Sequence, residues 1–244
     1  SVAIDSDGSK LYYAAYAQND AVESFYTGST NLDGTGFSGW TTQTAPNGGG
    51  ASDRTGADMT IVGNKMHFAA FLHNNGAENF SIASSNLDGT GFSGWTPLPV
   101  IDNVGTNSDT SSVAIDSDGT KLYYAAFGSN GSTENFSIAY TNLDGTGFSE
   151  WFNLSAPDGA DPSDPSFIDM IIVGDRMYFA AYLHNGGSEV FKTANSDING
   201  NNFAGWFTKT NPPNTVGGGE STVPAIATDG KRLIVADTYN DRLL

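Results

Sequence analysis

The sequence predicts an all-β protein of the β-propeller class, and three observations lead to that prediction. The chain of 244 residues repeats itself at a regular interval. Each repeat contains four short apolar segments separated by turn residues, and no segment shows the sustained 3.6-residue periodicity of a helix. Because a single four-stranded sheet cannot bury two apolar faces alone, the repeats must stack face to face. A sandwich and a solenoid are the alternative folds.

The tryptophans mark the length of the repeat. All four of them, at positions 40, 95, 151 and 206, are separated by 55, 56 and 55 residues. Ser1–Gly8 recurs unchanged at Ser112–Gly119, so units one and three resemble each other, as do units two and four. The units are residues 1–56, 57–111, 112–167 and 168–222, and residues 223–244 begin another. We therefore expect one domain with five blades, of which four are complete and the fifth is incomplete.

Each unit is expected to form four strands, beginning at the propeller axis. The first strand is short and apolar (Val2–Ile4, Met59–Val62, Val113–Ile115 and Met170–Val173). The second is an almost continuous apolar run with paired alanines (Leu11–Tyr16, Met66–Phe71, Leu122–Phe127 and Met177–Tyr182). The third begins at a phenylalanine (Phe25, Phe80, Phe136 or Phe191), and the fourth carries the tryptophan. The second strand is expected to be buried on both faces, and the tryptophans to pack between blades.

Two segments resemble known propeller repeats. The segment Pro224–Leu243 resembles an NHL repeat. The turn Leu32-Asp-Gly-Thr-Gly-Phe-Ser-Gly-Trp40 resembles the Asp-box of sialidase-like propellers, although Asp33 and Trp40 are farther apart than in that pattern. These resemblances imply the fold and no catalytic residue, since such families include lectins, glycosidases and protein-binding scaffolds.

Composition excludes several classes of partner and chemistry. The formal net charge is −17, so the chain lacks a basic surface for nucleic acid or anionic lipid. No apolar run approaches the about 20 residues that a membrane helix needs. The chain has no cysteine, which excludes thiol catalysis, disulfides and thiolate metal sites. The acidic, lysine-poor composition favours an extracellular or cell-surface location.

The candidate ligand site lies on one end of the propeller. In an antiparallel four-stranded blade, the loops after the second and fourth strands share a face, and here they are the long ones. Asn amides can both donate to and accept from sugar hydroxyls, and Glu carboxylates accept. The residues expected to bind ligand are Asn19, Glu23, His73, Asn74, Glu78, Asn130, Glu134, His184, Asn185 and Glu189. The alternative is that they form turns and cap strand ends.

Asp58 and Asp169 are candidate ligands of a metal ion. Each lies beside the innermost strand of an even-numbered unit, at the mouth of the central channel. Carboxylates there could bind a hard cation such as calcium, with a solvated aspartate at the strand entry as the alternative. No other cofactor is expected.

The repeats favour an extracellular, multivalent carbohydrate-binding module over an enzyme. Near-identical repeats give near-identical weak sites, whose avidity multiplies. A glycosidase needs two carboxylates in unequal environments, whereas the repeated glutamates are equivalent. The expectation is therefore that the chain is not an enzyme. The alternatives are a structural or adhesive scaffold that binds a protein surface and, second, a glycoside hydrolase. An open edge of the incomplete blade could support self-association.

Overall fold

The computed structural model describes eleven segments of the chain. These are residues 1–19, 22–46, 54–74, 77–101, 111–129, 134–157, 166–185, 188–208, 224–228, 232–237 and 242–243. Several side chains at the ends of the strands lie outside this description. Of the residues described, none forms a helix of the length and apolarity that a membrane crossing requires.

Sixteen strands form four antiparallel sheets in chain order. The first sheet contains β1 (Val2–Ser6), β2 (Lys10–Asn19), β3 (Val22–Asn31) and β4 (Thr41–Gln43). The second contains β5 (Arg54–Val62), β6 (Lys65–Asn74), β7 (Ala77–Asn86) and β8 (Thr96–Leu98). The third contains β9 (Ser111–Ser117), β10 (Lys121–Ser129), β11 (Glu134–Asn142) and β12 (Phe152–Leu154). The fourth contains β13 (Ser166–Val173), β14 (Arg176–Asn185), β15 (Ser188–Asp197) and β16 (Phe207–Thr208). The predicted β-propeller with four complete blades is confirmed.

The turns between the third and fourth strands are built in the same way in the first three sheets. The Oδ1 atom of Asp33 accepts hydrogen bonds from the backbone N–H of Thr35, at 2.9 Å, and from its hydroxyl, at 2.6 Å. Gly36 follows with a φ of 66°, in the left-handed region, and a Cβ there would lie 2.8 Å from Nδ2 of Asn31. Asp88 and Asp144 make the same bonds. The repeated Asp-Gly-Thr-Gly segment is therefore a turn held by its own side chains.

The core lies between neighbouring sheets, where three aromatic rings meet. Between the second and third sheets, the ring of Phe80 lies 5.3 Å from that of Tyr124 and 5.2 Å from that of Trp151, both edge to face. The indole N–H of Trp151 also donates to the backbone carbonyl of Pro99 in the preceding unit, at 2.7 Å. The neighbouring interfaces repeat this group, with Phe25, Phe68 and Trp95 on one side and Phe136, Phe179 and Trp206 on the other. The predicted packing between blades holds for these three tryptophans.

Trp40 differs from the other three tryptophans. It is 50% exposed. Its aromatic neighbours among the described residues are Tyr13, Tyr26 and Phe37, all of its own sheet. The expectation that every tryptophan is buried between blades is therefore wrong for Trp40, because no described sheet precedes the first.

A three-stranded sheet follows the fourth blade. It contains β17 (Pro224–Thr228), β18 (Leu233–Asp237) and β19 (Arg242–Leu243) in that order. Its Val235 packs into a cluster with Ala180, Tyr182 and Phe191 of the fourth sheet. The three-stranded sheet therefore stacks on the fourth blade as the blades stack on one another.

Candidate functional site

The two ends of the propeller carry different connections. The short turns between β1 and β2 and between β3 and β4, with their counterparts in the other blades, lie at one end. The end of β2 and the beginning of β3, with their counterparts in the other blades, lie at the other end, which we call the loop face. The long connections fall largely outside the described residues.

Most of the predicted ligand-binding side chains also fall outside the described residues. They are Asn19, His73, Asn74, Glu78, Asn130, His184, Asn185 and Glu189. Two of the set are described, Glu23 and Glu134. Glu23 pairs with Gln18 and Glu134 with Ser129, so the two glutamates occupy equivalent, half-buried places at the loop face of the first and third blades.

Polar atoms at this end are buried without a partner among the described residues. They are Oε1 of Glu23 and Nδ2 of Asn135, the residue after Glu134. A buried polar atom without a hydrogen bond costs about 1–3 kcal/mol. The loop face therefore contains a buried acceptor in the first blade and a buried donor in the third that have no described partner.

The candidate metal ligands Asp58 and Asp169 form hydrogen bonds between sheets. Oδ2 of Asp58 accepts from the backbone N–H of Ile115, at 2.8 Å. Oδ2 of Asp169 accepts from the backbone N–H of Ile226, at 2.6 Å. Both carboxylates thus attach the first strand of one sheet to the first strand of the next, rather than being merely solvated at the entry of the strand.

Two further aspartates complete this series, and sequence reasoning missed their role. Oδ2 of Asp5 accepts from the N–H of Ile61 at 2.7 Å, and Oδ2 of Asp116 from the N–H of Ile172 at 2.6 Å. We call Asp5, Asp58, Asp116 and Asp169 the inter-blade aspartates. Their recurrence within the 111-residue double repeat was the available signal.

The inter-blade aspartates line the axis closely enough to influence one another. Desolvation raises the pKa of Asp58 well above its usual range, and the charge of Asp169 raises it further. Desolvation also raises the pKa of Asp116, and it raises that of Asp169 to about 7. Asp58 and Asp169 are half-buried. Burial therefore makes the carboxyl groups of Asp58, Asp116 and Asp169 weaker acids than an exposed aspartate.

The described residues contain no group of three or more His, Cys, Asp or Glu side chains placed to hold a metal ion. Each inter-blade aspartate already has an oxygen committed to a backbone N–H. A calcium ion at Asp58 and Asp169 stays a prediction.

A cavity of about 340 Å³ lies between the first and second blades, and the sequence did not reveal it. Its lining includes Lys10, Tyr12, Thr27, Ser29, Thr41 and Asp88. Nε2 of Gln43 donates to Oγ1 of Thr27, at 3.2 Å, and to the carbonyl of Gly89, at 2.7 Å. The third blade has Ile138, Leu154 and Phe152 at the places of Thr27, Gln43 and Thr41. The smaller, polar side chains leave this interface open.

Comparison with known proteins supplies the fold. No family model and no curated protein matches the chain. Among solved structures, Trypanosoma rangeli sialidase in complex with sialic acid is 13% identical with a TM-score of 0.58, over 96% of this chain and 42% of that one. CoXyl43, a GH43 β-xylosidase/α-arabinofuranosidase from a compost metagenome, is 15% identical with a TM-score of 0.56, over 95% and 82%. The Coprinopsis cinerea GH62 α-L-arabinofuranosidase domain is 13% identical with a TM-score of 0.54, over 96% and 81%.

The comparisons contradict the expectation that the chain is not an enzyme. The similar propellers named above are a sialidase and glycoside hydrolases. The expectation rested on the equivalence of the repeated loop glutamates, which leaves the other carboxyl groups of the chain out of account. The NHL and Asp-box resemblances and the extracellular location stay predictions. The chain spans less than half of the sialidase, and what it shares with all three proteins is the β-propeller fold.

Proposed function

We propose that this chain interacts with glycans at its loop face. The observation that carries the proposal is a buried acceptor in the first blade, Oε1 of Glu23, and a buried donor in the third, Nδ2 of Asn135, neither of which has a partner among the described residues. Sugar hydroxyls can donate to the first atom and accept from the second. The similar structures support the same ligand class, since one is a sialidase bound to sialic acid and the other two are a β-xylosidase/α-arabinofuranosidase and an α-L-arabinofuranosidase.

Multivalent binding is the form of this function that the repeats favour. Glu23 and Glu134 occupy equivalent places in two blades, so both blades supply the carboxylate of such a site, with Ser24 in the first blade at the place of Asn135 in the third. The remaining predicted residues, Asn19, His73, Asn74, Glu78, Asn130, His184, Asn185 and Glu189, would complete the set. A protein surface is the alternative partner. The chain would self-associate if a strand of a second copy paired with β19, the outer strand of the three-stranded sheet.

A glycan array followed by calorimetry tests the binding function. We expect a retained glycan to bind with more than one site per chain. Glu23→Gln should weaken one site several-fold, because the amide keeps the shape but loses the charged acceptor. Glu150→Gln is the matched control, since it makes the same change in an exposed turn at the opposite end of a blade. Equal binding by both variants, or no retained glycan, would contradict the proposal.

Glycoside hydrolysis is the second candidate, and the raised pKa of the buried Asp169 carboxyl group favours it. A glycosidase needs one carboxyl group that stays protonated near neutral pH and another that is ionised. Asp169, with a pKa of about 7, suits the acid. The test is sugar release from arabino- and xylo-oligosaccharides by the wild type and by Asp169→Asn. Activity lost in a folded variant supports hydrolysis, and wild-type protein without activity on any of these substrates counts against it.

We also propose that β17–β19 form an incomplete fifth blade. The bond from Ile226 to Asp169 has the same form as the bonds between the complete blades. Hydrogen exchange tests this: Asp169→Asn should reduce protection of the Ile226 amide while that of the Ile115 amide, bonded to Asp58, is unchanged. Equal loss of protection at both amides would show that the whole chain unfolds and that Asp169 does not specifically hold β17 in place.

A further inference from the structure

The cavity between the first and second blades corresponds to a place that the third blade fills with a ring of its own. Ser29 lies in the cavity wall and pairs with Tyr12. In the third blade, Tyr140 pairs with Tyr123 in the same register, so Tyr140 stands at the place of Ser29. A serine side chain therefore leaves open, in the first blade, a space that a phenol ring occupies in the third.

The third blade also shows what surrounds a ring at this place. Nζ of Lys121 lies 3.7 Å from the centroid of the Tyr140 ring, and the ring of Tyr123 lies 5.9 Å away, tilted by 56°. An ammonium group over an aromatic face is attracted by the quadrupole of the ring, and tilted aromatic pairs are favourable. Lys10 and Tyr12 stand at the places of Lys121 and Tyr123, and both line the cavity. The first blade thus retains both neighbours of a ring that it does not itself supply.

The cavity is large enough for a small molecule and open to solvent. Its volume of about 340 Å³ lies within the range of small-molecule pockets. Tyr12, Thr27 and Ser29 are buried in its wall, whereas Lys10 and Asp88 are exposed at its rim. A ligand can therefore enter between Lys10 and Asp88 and reach the ring of Tyr12.

The described residues form this cavity whatever else stacks on the first blade. It lies at the end of the propeller opposite to the loop face, and residues 22–46 and 77–101, which supply most of its lining, are described without interruption. The lining side chains of the first sheet lie on the face turned to the second sheet, where Tyr12 packs in one cluster with Met59 and Phe68. A blade stacked on the other face of the first sheet would leave the cavity unchanged.

We propose that this cavity binds the phenolic ring of a small molecule, which lies against Tyr12 and below the ammonium group of Lys10. The hydroxyl groups of Thr27, Ser29 and Thr41 line the same space. Because a hydroxyl group both donates and accepts, they can bond to a phenolic hydroxyl in either direction. This second site is separate from the loop face and does not depend on glycan binding there.

The first test uses para-fluorophenol as the probe and the full chain. Its fluorine resonance is followed as protein is added, and nuclear Overhauser contacts locate the bound ring. We expect saturable binding at one site per chain, with contacts between the ring protons of the probe and those of Tyr12. The fluorocyclohexanol of matching size has no aromatic face and should bind several-fold more weakly. Equal affinity for the two probes, or no saturable binding, would overturn the proposal.

Two substitutions at the site itself sharpen the test. Ser29→Tyr supplies the ring that the third blade carries and should abolish binding of the probe, because the new side chain fills its place. Lys10→Gln should weaken binding about two- to five-fold, since it removes the cation over the ring. Lys10 is exposed, so this variant decides the matter even where Ser29→Tyr fails to fold. Undiminished binding by either folded variant would contradict the proposal.

Two further variants are controls. Ser84→Tyr makes the same change at the same place of the second blade, on the face turned to the third, and should leave the affinity for the probe unchanged. Glu23→Gln at the loop face should also leave it unchanged, which separates this site from the proposed glycan site. Binding of the probe lost in Glu23→Gln would place the ring at the loop face and overturn the assignment to the cavity.

Discussion

The first and third blades have nearly the same sequence and different surroundings. Ile4 and Ile115 belong to identical segments, yet Ile4 is 58% exposed and Ile115 3%. Both blades have four strands in the same order, and Asp7 and Asp118 make the same bonds to the hydroxyl and amide groups that follow them. Local sequence therefore determines the sheet, whereas the neighbouring blade determines what that sheet buries.

The largest expected difference between the two blades is at the tryptophans. Trp151→Ala should destabilise the chain by about 3–5 kcal/mol, because it removes a ring packed on Phe80 and the bond to the carbonyl of Pro99. Trp40→Ala should cost less than about 1 kcal/mol. Chemical denaturation of both variants measures the difference. Equal losses would show that Trp40 is buried in solution.

Loss of an inter-blade aspartate should have the next largest effect. Asp116→Ala removes the acceptor of the Ile172 N–H and should cost about 1–3 kcal/mol. Asp144→Ala, in the exposed turn of the same blade, is the comparison and should cost less. Denaturant midpoints at constant pH provide the measurement, and a greater loss for Asp144→Ala would refute the importance of the bond between blades.

Stability should depend on pH through the same groups. The folded-state pKa of Asp169 is about 7, above the about 3.9 of an unfolded aspartate, so the folded chain binds more protons between these values. The free energy of unfolding should therefore decrease as pH rises from about 4 to 7. The decrease is at most about 1.4 kcal/mol for each unit by which the pKa of Asp169 in the folded chain exceeds that in the unfolded chain. Asp169→Asn should flatten this slope. Below about pH 4 the trend should reverse, because Asp33, Asp88 and Asp144 have lowered pKa values.

The smallest effect is expected at the cavity between the first and second blades. The double change Thr27→Ile with Gln43→Leu gives the first blade the side chains that the second has at these places, Ile82 and Leu98. We expect a gain of about 0.5–1 kcal/mol from added apolar burial. Thermal unfolding measures it. A clear loss would show that the bond from Gln43 to the carbonyl of Gly89 outweighs the added packing.

The sequence was sufficient for the blades because their determinants are local. The Asp-Gly-Thr-Gly turns, the paired alanines and the spacing of the tryptophans predicted four complete blades. It was insufficient for the bonds of the inter-blade aspartates. The partner of Asp58 is a backbone N–H 57 residues away, and a backbone donor does not require a particular side chain on its own residue. It also failed at Trp40, whose burial depends on a neighbour and not on its own repeat. At the loop face it named residues whose side chains lie mostly outside the described part of the chain.

The inter-blade aspartates also bear on how such a chain can lengthen or shorten. The carboxylate lies one residue after the isoleucine in odd blades, as Asp116 follows Ile115, and three residues before it in even blades, as Asp58 precedes Ile61. Removing one internal blade would place the first strands of two odd blades, or of two even blades, side by side. The aspartate of one blade would then no longer lie opposite the backbone N–H of the next blade from which it accepts. Removing two would leave the alternation intact. Gain and loss of blades in pairs is thus the change that this architecture tolerates, in gene duplication and in engineering alike.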